Sequence, residues 1–147
     1  MSFDVGAFLL QTVPFAGTIG VEFDKVQDGY AACRLPDRAD LHNHVQGPHA
    51  GALFTLAESA SGAAMLSALG DQLSRAVPLA TTAVIHYRKL AKGEVTAEAR
   101  LLADRDEVVA RLDAGERPEF EVGVEIKNAE GTLVSEMTVS WTLRPNR

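Results

Sequence analysis

Across residues 41–70, "LHNHVQGPHAGALFTLAESASGAAMLSALG", one Asp, Glu, Lys or Arg occurs: Glu58. From His49 onward the stretch is Ala- and Leu-rich and free of proline, which predicts one continuous helix over residues 49–69. Pro48 stands where proline is tolerated, at or just before a first turn, and Gly70 offers a stop. Apolar residues cover most of the circumference, so this helix must be buried on nearly all sides. Its length raises the question of a membrane span. Its small residues, its Glu58 and the lack of a basic flank argue against one, and no membrane partner is expected.

The rest of the chain supplies the cover. Residues 3–11 can form a short helix, and strand candidates follow at 17–26 and 29–35, joined by Gln27-Asp28-Gly29 as a tight turn. Residues 36–48 read as loop from their Pro, Asp, Asn and Gly content. After the helix, Val77, Leu79, Thr81, Ala83, Ile85 and Tyr87 share one phase of a strand over 77–88. Val95, Ala97, Ala99 and Leu101 alternate with polar residues, as do Phe120, Val122, Val124 and Ile126. Leu133, Met137, Val139 and Trp141 share a phase on a last strand, after a turn at Asn128–Gly131. Such period-two patterning predicts an antiparallel sheet with one wet face. Residues 104–118 interrupt it with a charged, helical insertion. The expected architecture is α+β: a curved antiparallel sheet around one central helix, in a single domain over residues 1–147.

Charge and composition narrow the partners. A net charge of −6 argues against a nucleic-acid binder, which needs a basic face. The one cysteine, Cys33, excludes an internal disulfide and suits a reducing compartment. The N-terminal segment carries Asp4 and lacks both a basic n-region and a sustained apolar run, so a cytoplasmic location is expected.

Several residues could carry chemistry. A Glu on a buried helix is paired, solvated or functional, because an isolated buried carboxylate is costly. Thr55, Ser59 and Gly62 share the side of Glu58, so a polar stripe facing water is the plain alternative. Desolvation would raise its pKa toward the range useful for a general base. The N–H groups of His49, Ala50 and Gly51 are expected to be unpaired within the helix and to sit at its positive end, suited to a carbonyl oxygen that gains charge. Small residues there admit a substrate close to the backbone. Asn43 either holds a water or carbonyl with its amide or satisfies a local turn. His42, His44 and His49 invite a metal, but no Cys pair or acidic ligand accompanies them at helical spacing, and no metal is expected. His86 is expected on a strand surface. Thr81 and Thr82 can orient a water or simply serve a strand. Arg88, Lys89 and Lys92 form a basic cluster, either solvated or a clamp for phosphates.

Spacing adds a constraint on assembly. Ala50 and Glu58 lie eight residues apart, about 12 Å along a helix. Glu58 therefore cannot act on a group held at the start of its own helix. If both belong to one site, Glu58 reaches across to the helix start of a second copy, and a two-fold dimer makes two such sites.

Asn43, then Gly47-Pro48-His49-Ala50-Gly51, then "LFTLAES" with Glu58, resemble the hot-dog fold thioesterases of the phenylacetate-pathway (PaaI-like) type. That family shows an Asn, a Gly-x-x-His-Gly-Gly turn into its central helix, and a "LAD"-like segment bearing the catalytic acid. "TTAVIHYRKLAKGE" resembles the strand and exit loop that follow, and the order of elements matches over about residues 15–143, apart from 104–118. The resemblance implies an acyl-coenzyme A thioesterase acting as a homodimer or a dimer of dimers. Asn43 and the Ala50 N–H would meet the substrate beside Gly47, His49 and Gly51. The partner's Glu58 would activate water or attack directly, and Thr81 or Thr82 would carry the family's water-orienting hydroxyl. Arg88, Lys89 and Lys92 would meet coenzyme A, which enters as part of the substrate, with no separate cofactor. Ala50 stands in place of the family's Gly, and Glu58 in place of its commoner Asp. A non-hydrolytic module that binds acyl-CoA or acyl-carrier protein on the same fold is the alternative.

Overall fold

The structure is a computed structural model that describes residues 3–147. Asp4 opens helix α1 (Val5–Thr12) by accepting the Ala7 N–H at 2.9 Å, an N-cap. A second short helix, α2 (Pro14–Thr18), follows where a strand starting at residue 17 was expected. Pro14 pre-sets the backbone of its first turn, and Gly20, at φ 83°, turns the chain so that strand β1 begins only at Glu22. β1 (Glu22–Gln27) and β2 (Tyr30–Leu35) are joined by the expected tight turn. Its two central residues, Asp28 and Gly29, have φ of 50° and 82°, the pair of positive angles that a two-residue hairpin requires.

Helix α3 (Ala50–Leu69) is the central element. The segment Ala50–Gln72 is long and apolar enough to cross a membrane by length and composition, yet most of it is buried within the protein. Its Ala, Ser and Gly side chains let strands approach closely, and Leu56, Ala57, Ala60, Ala63 and Ala64 are sealed from solvent. Four further strands complete the cover: β3 (Ala76–Tyr87), β4 (Val95–Leu101), β5 (Glu119–Asn128) and β6 (Leu133–Pro145). All six pair antiparallel in the order β1-β2-β4-β5-β6-β3. The inward sides of β2, β4, β5 and β6 pack on α3, and the Trp141 indole N–H of β6 donates to the Ser61 hydroxyl of α3 at 3.3 Å. This is the hot-dog arrangement, a curved sheet wrapped around one long helix.

Two bulges alter the phases read from the sequence. On β6, Ile126 faces Ser135 and Lys127 faces Leu133, so Val134 is an extra residue and is buried while Leu133 is half-exposed. On β3, Ala80 faces Trp141 and Thr82 faces Ser140, so Thr81 is the extra residue. The inward phase of β3 is therefore Ala76, Pro78 and Ala80, then Ala83, Ile85 and Tyr87. The single phase expected from Val77 to Tyr87 is corrected by that one inserted residue.

The charged insertion holds helix α4 (Arg105–Asp113), capped by the Asp104 carboxylate on the Asp106 N–H at 2.8 Å. It closes the C-terminal end of α3. Arg105 donates to the Ala68 carbonyl and to both Asp71 oxygens, at 2.8 and 2.7 Å. A cation there complements the negative end of the helix.

Among the described residues one buried side-chain oxygen has no hydrogen-bond partner, Ser135 Oγ, on the sealed face of β6. Removing an unsatisfied hydroxyl removes its desolvation cost. Ser135→Ala should raise stability by about 1 kcal/mol, measured by denaturant unfolding.

Candidate active site

The loop before α3 is built by Asn43. Its Oδ1 accepts the Val45 N–H at 3.0 Å and the Gly47 N–H at 3.1 Å, and its Nδ2 donates to the Pro48 carbonyl at 3.4 Å. The amide is thus largely spent on the turn, the local role weighed against substrate binding. Gly47 packs so tightly against the next connection that a Cβ there would collide with the Ala91 carbonyl oxygen. Lys92 donates to the Val45 carbonyl, which ties the exit loop of β3 to the same turn.

His49 caps α3. Its ring Nδ1 accepts the Gly51 N–H at 2.8 Å, which puts the neutral ring's proton on Nε2, and its own N–H donates to the Leu41 carbonyl at 2.8 Å. Of the three N–H groups expected to lack partners within the helix, those of His49 and Gly51 are spent on the Leu41 carbonyl and the His49 ring. Among the described residues, no acceptor meets the N–H of Ala50 or Ala52 in the first turn, and Ala50 is exposed while Ala52 is buried. The unspent donor carried by an exposed residue at the positive end of α3 is the Ala50 N–H. The histidines diverge: His42 bonds Asp37 at 2.7 Å, His49 caps the helix, and His44 is exposed.

β3 runs back along α3 and brings its end to the helix start. The Tyr87 hydroxyl donates to the Ala50 carbonyl at 3.0 Å, and desolvation raises its pKa, so the phenol is a neutral donor at neutral pH. Arg88 and Lys89, next in the chain, both donate their N–H groups to the Val134 carbonyl, at 2.8 and 3.1 Å. The Arg88 side chain pairs with Glu136 at 3.2 Å, while Lys89 is exposed. Arg88, Lys89 and Lys92 thus gather at the end of the molecule where α3 begins.

Glu58 lies two turns into α3, half-buried. Among the described residues nothing bonds its carboxylate. The polar neighbours on its side turn back onto the helix: Thr55 donates to the Gly51 carbonyl at 3.0 Å and Ser59 to the Thr55 carbonyl at 2.6 Å. A self-satisfied polar stripe leaves Glu58 unpartnered. Burial raises its pKa above the ordinary glutamate value, with desolvation as the cause. The threonines of β3 are placed differently from each other. Thr81 sits in the bulge and donates to the Ser140 carbonyl at 3.1 Å, while Thr82, paired with Ser140, faces away from α3. The β3 residue that shares Trp141's helix-facing side is Ala80. His86 is on the outer face too, as expected.

A groove of about 430 Å³ borders the helix start, lined by Phe15, Ile19, Leu41, His49, Ala52 and Thr55 among others. Sequence reasoning missed it because Phe15 fell between the expected elements and Ile19 in an expected strand, rather than in α2 and at its end. It missed Tyr87 as well, whose bond to Ala50 joins residues 37 apart in the chain.

The sequence family described as "Domain of unknown function (DUF4442)" matches residues 4–143. Among solved structures, Pseudomonas aeruginosa PA5026, described as a protein of unknown function and probable thioesterase, superposes with a TM-score of 0.85 at 27% identity. The likeness covers 97% of this chain and 94% of that one. A second P. aeruginosa protein, PA5202, gives a TM-score of 0.71 at 26% identity over 88% of this chain and 92% of its own. The PaaI protein of the E. coli phenylacetic acid degradation operon shares the fold, with a TM-score of 0.73 at 19% identity over 94% and 90%. No curated protein matches this chain.

Two outcomes follow from this geometry. Gly47→Ala should displace the turn before α3 and destabilise the protein by about 1–3 kcal/mol in denaturant unfolding. Glu58 holds its proton more tightly folded than unfolded, so its ionisation costs stability as pH rises from the ordinary glutamate range through its raised folded value. Glu58→Gln should therefore melt above wild type at pH ~7, with the gap closing below pH ~4, where both states are protonated.

Proposed function

We propose that this chain, which belongs to the DUF4442 family, is a thioester hydrolase acting on acyl-coenzyme A as a homodimer. The observation that carries the reading is the unpartnered, half-buried Glu58, eight residues from the unspent Ala50 N–H on one unbroken helix. A carboxylate kept from water with its pKa raised suits a general base. A lone N–H at a helix start suits a developing oxyanion. Their separation, about 12 Å of helical rise, prevents cooperation within one chain. Two copies with antiparallel α3 helices would bring each Ala50 to the partner's Glu58. β3 supports this assembly, because it is a long edge strand paired on one side alone. The similarity to PA5026, a protein described as a probable thioesterase, points the same way.

In the proposed reaction the thioester oxygen accepts from the Ala50 N–H. The partner's Glu58 takes a proton from water as the water oxygen bonds the acyl carbon. The tetrahedral intermediate then collapses, the C–S bond breaks, and the departing coenzyme A thiolate takes the proton from that Glu58, leaving the acyl group as the free acid and the base regenerated. Arg88, Lys89 and Lys92 would face the coenzyme A phosphates, with charge-assisted hydrogen bonds as the source of affinity.

Steady-state hydrolysis over a panel of acyl-CoAs tests the base. Glu58→Ala should lose about 10²–10⁴-fold in kcat, and wild-type kcat/KM should rise with pH through a value above the ordinary glutamate range. Equal rates for the two proteins would remove Glu58 from the mechanism. Tight binding of several acyl-CoAs without turnover would instead identify a binding module. The assembly has its own test. Ala50 is the first residue of α3, where proline is tolerated, and His49 already has the extended backbone (φ −62°, ψ 145°) that precedes proline. Ala50→Pro thus removes the N–H and keeps the helix. Glu58→Ala and Ala50→Pro should each be inactive, while subunits mixed after dissociation should regain about a quarter of wild-type activity, since half the dimers are hybrids with one intact site. A mixture as inactive as its components would overturn the shared site.

A further inference from the structure

The Ala50–Gly51 peptide unit is held at both ends by side chains. Its carbonyl oxygen accepts the Tyr87 hydroxyl at 3.0 Å, and its N–H donates to the His49 ring at 2.8 Å. The preceding peptide unit is held at its carbonyl, where His49 O accepts the Leu53 N–H at 3.0 Å. The Ala50 N–H is what remains. A first turn of helix normally frays, because its donors lack partners and nothing beyond it restrains the chain. Here the residue carrying the free donor is gripped from a different element, the end of β3.

We infer that Tyr87 is a positioning residue of this site, its hydroxyl fixing Ala50 so that the one accessible N–H keeps its direction toward the substrate carbonyl. The inference rests on the thioesterase reading given above. The hydroxyl touches the backbone of the donor residue rather than the reacting atoms. It also joins two parts of the site: Tyr87 is followed directly by Arg88 and Lys89, whose N–H groups are anchored to Val134. The backbone of Arg88 and Lys89 and the helix start are thus tied together through one short stretch of chain. A donor aimed at an oxyanion contributes most when it needs no reorganisation during the reaction. The phenol supplies that restraint at the open end of α3. At the closed end, Arg105 and α4 perform the comparable task.

Tyr87→Phe keeps the ring and removes the one bond. Two readouts on the intact protein separate positioning from mere structure. Amide hydrogen exchange without ligand should be faster at Gly51 in the variant, because the clamp on its peptide is lost. In acyl-CoA hydrolysis kcat should fall about five- to tenfold with KM within about twofold, as expected for loss of one hydrogen bond that acts on the transition state. Tyr30→Phe, which removes a hydroxyl bonded to Glu98 at 2.8 Å on the outer face, should match wild type in both. Unchanged exchange at Gly51 would overturn the clamp. Faster exchange with unchanged kcat, or with a change confined to KM, would overturn positioning. Wild-type protein that turns over no thioester would overturn the hydrolase reading and the kinetic role together, while the exchange result would still decide whether Tyr87 holds the turn.

Discussion

The structure depends on the burial of a helix that has almost nothing polar to show. α3 is made mostly of Ala, Leu, Ser and Gly around one carboxylate, and each apolar face needs cover. Small side chains make that cover close: β2, β4 and β5 lie directly against it, with Ala31, Ala97 and Ala99 among the sealed residues opposite. Such packing excludes water efficiently and leaves no room for a charge. The cover is incomplete along the stripe of Gly51, Phe54, Thr55 and Glu58, whose residues are exposed or half-buried. The same constraint thus produces the fold and sets aside the place where a polar group survives.

β4 and β5 were legible in the sequence because each has one wet face, so polarity alternates strictly with burial. β3 and β6 were legible as strands but not in phase. A bulge inserts one residue and reverses every side chain beyond it, and neither Thr81 nor Val134 carries a compositional mark of that role. The consequence at the site is specific: a threonine expected near the helix is turned outward, and Ala80 takes the helix-facing position. α2 was hidden because Pro-Phe-Ala-Gly-Thr is short, carries turn residues and buries Ala16 alone.

Within the site, Glu58 was legible because charge in an apolar helix is conspicuous by composition alone. The roles of Asn43 and His49 were not, because they follow from hydrogen-bond accounting over a few residues. An Asn side chain can serve a turn or a substrate, and the chain geometry, not the residue type, decides which. Here it closes the loop. His49 likewise spends its ring on its own helix. Tyr87 was invisible for a further reason: nothing in a strand pattern says that its last residue meets a helix start far away in the chain.

These local bonds leave α3 asymmetric. Every helix ends in unpaired groups, positive at its start and negative at its finish. At the finish the chain supplies a guanidinium, and the ion pair with Arg105 holds the Asp71 carboxyl below its usual range. At the start no carboxylate among the described residues accepts from a first-turn N–H. The first turn has no acidic residue, the His49 ring meets one donor, and among the described residues the N–H of exposed Ala50 stays unmatched. A carboxylate in that first turn would have been the simplest stabilising choice. The one carboxylate of the helix stands two turns further on, where it stabilises nothing in its own chain. Stability alone favours neither the empty start nor the stranded acid, whereas the proposed reaction, with an anionic transition state shared between two helices, would account for both.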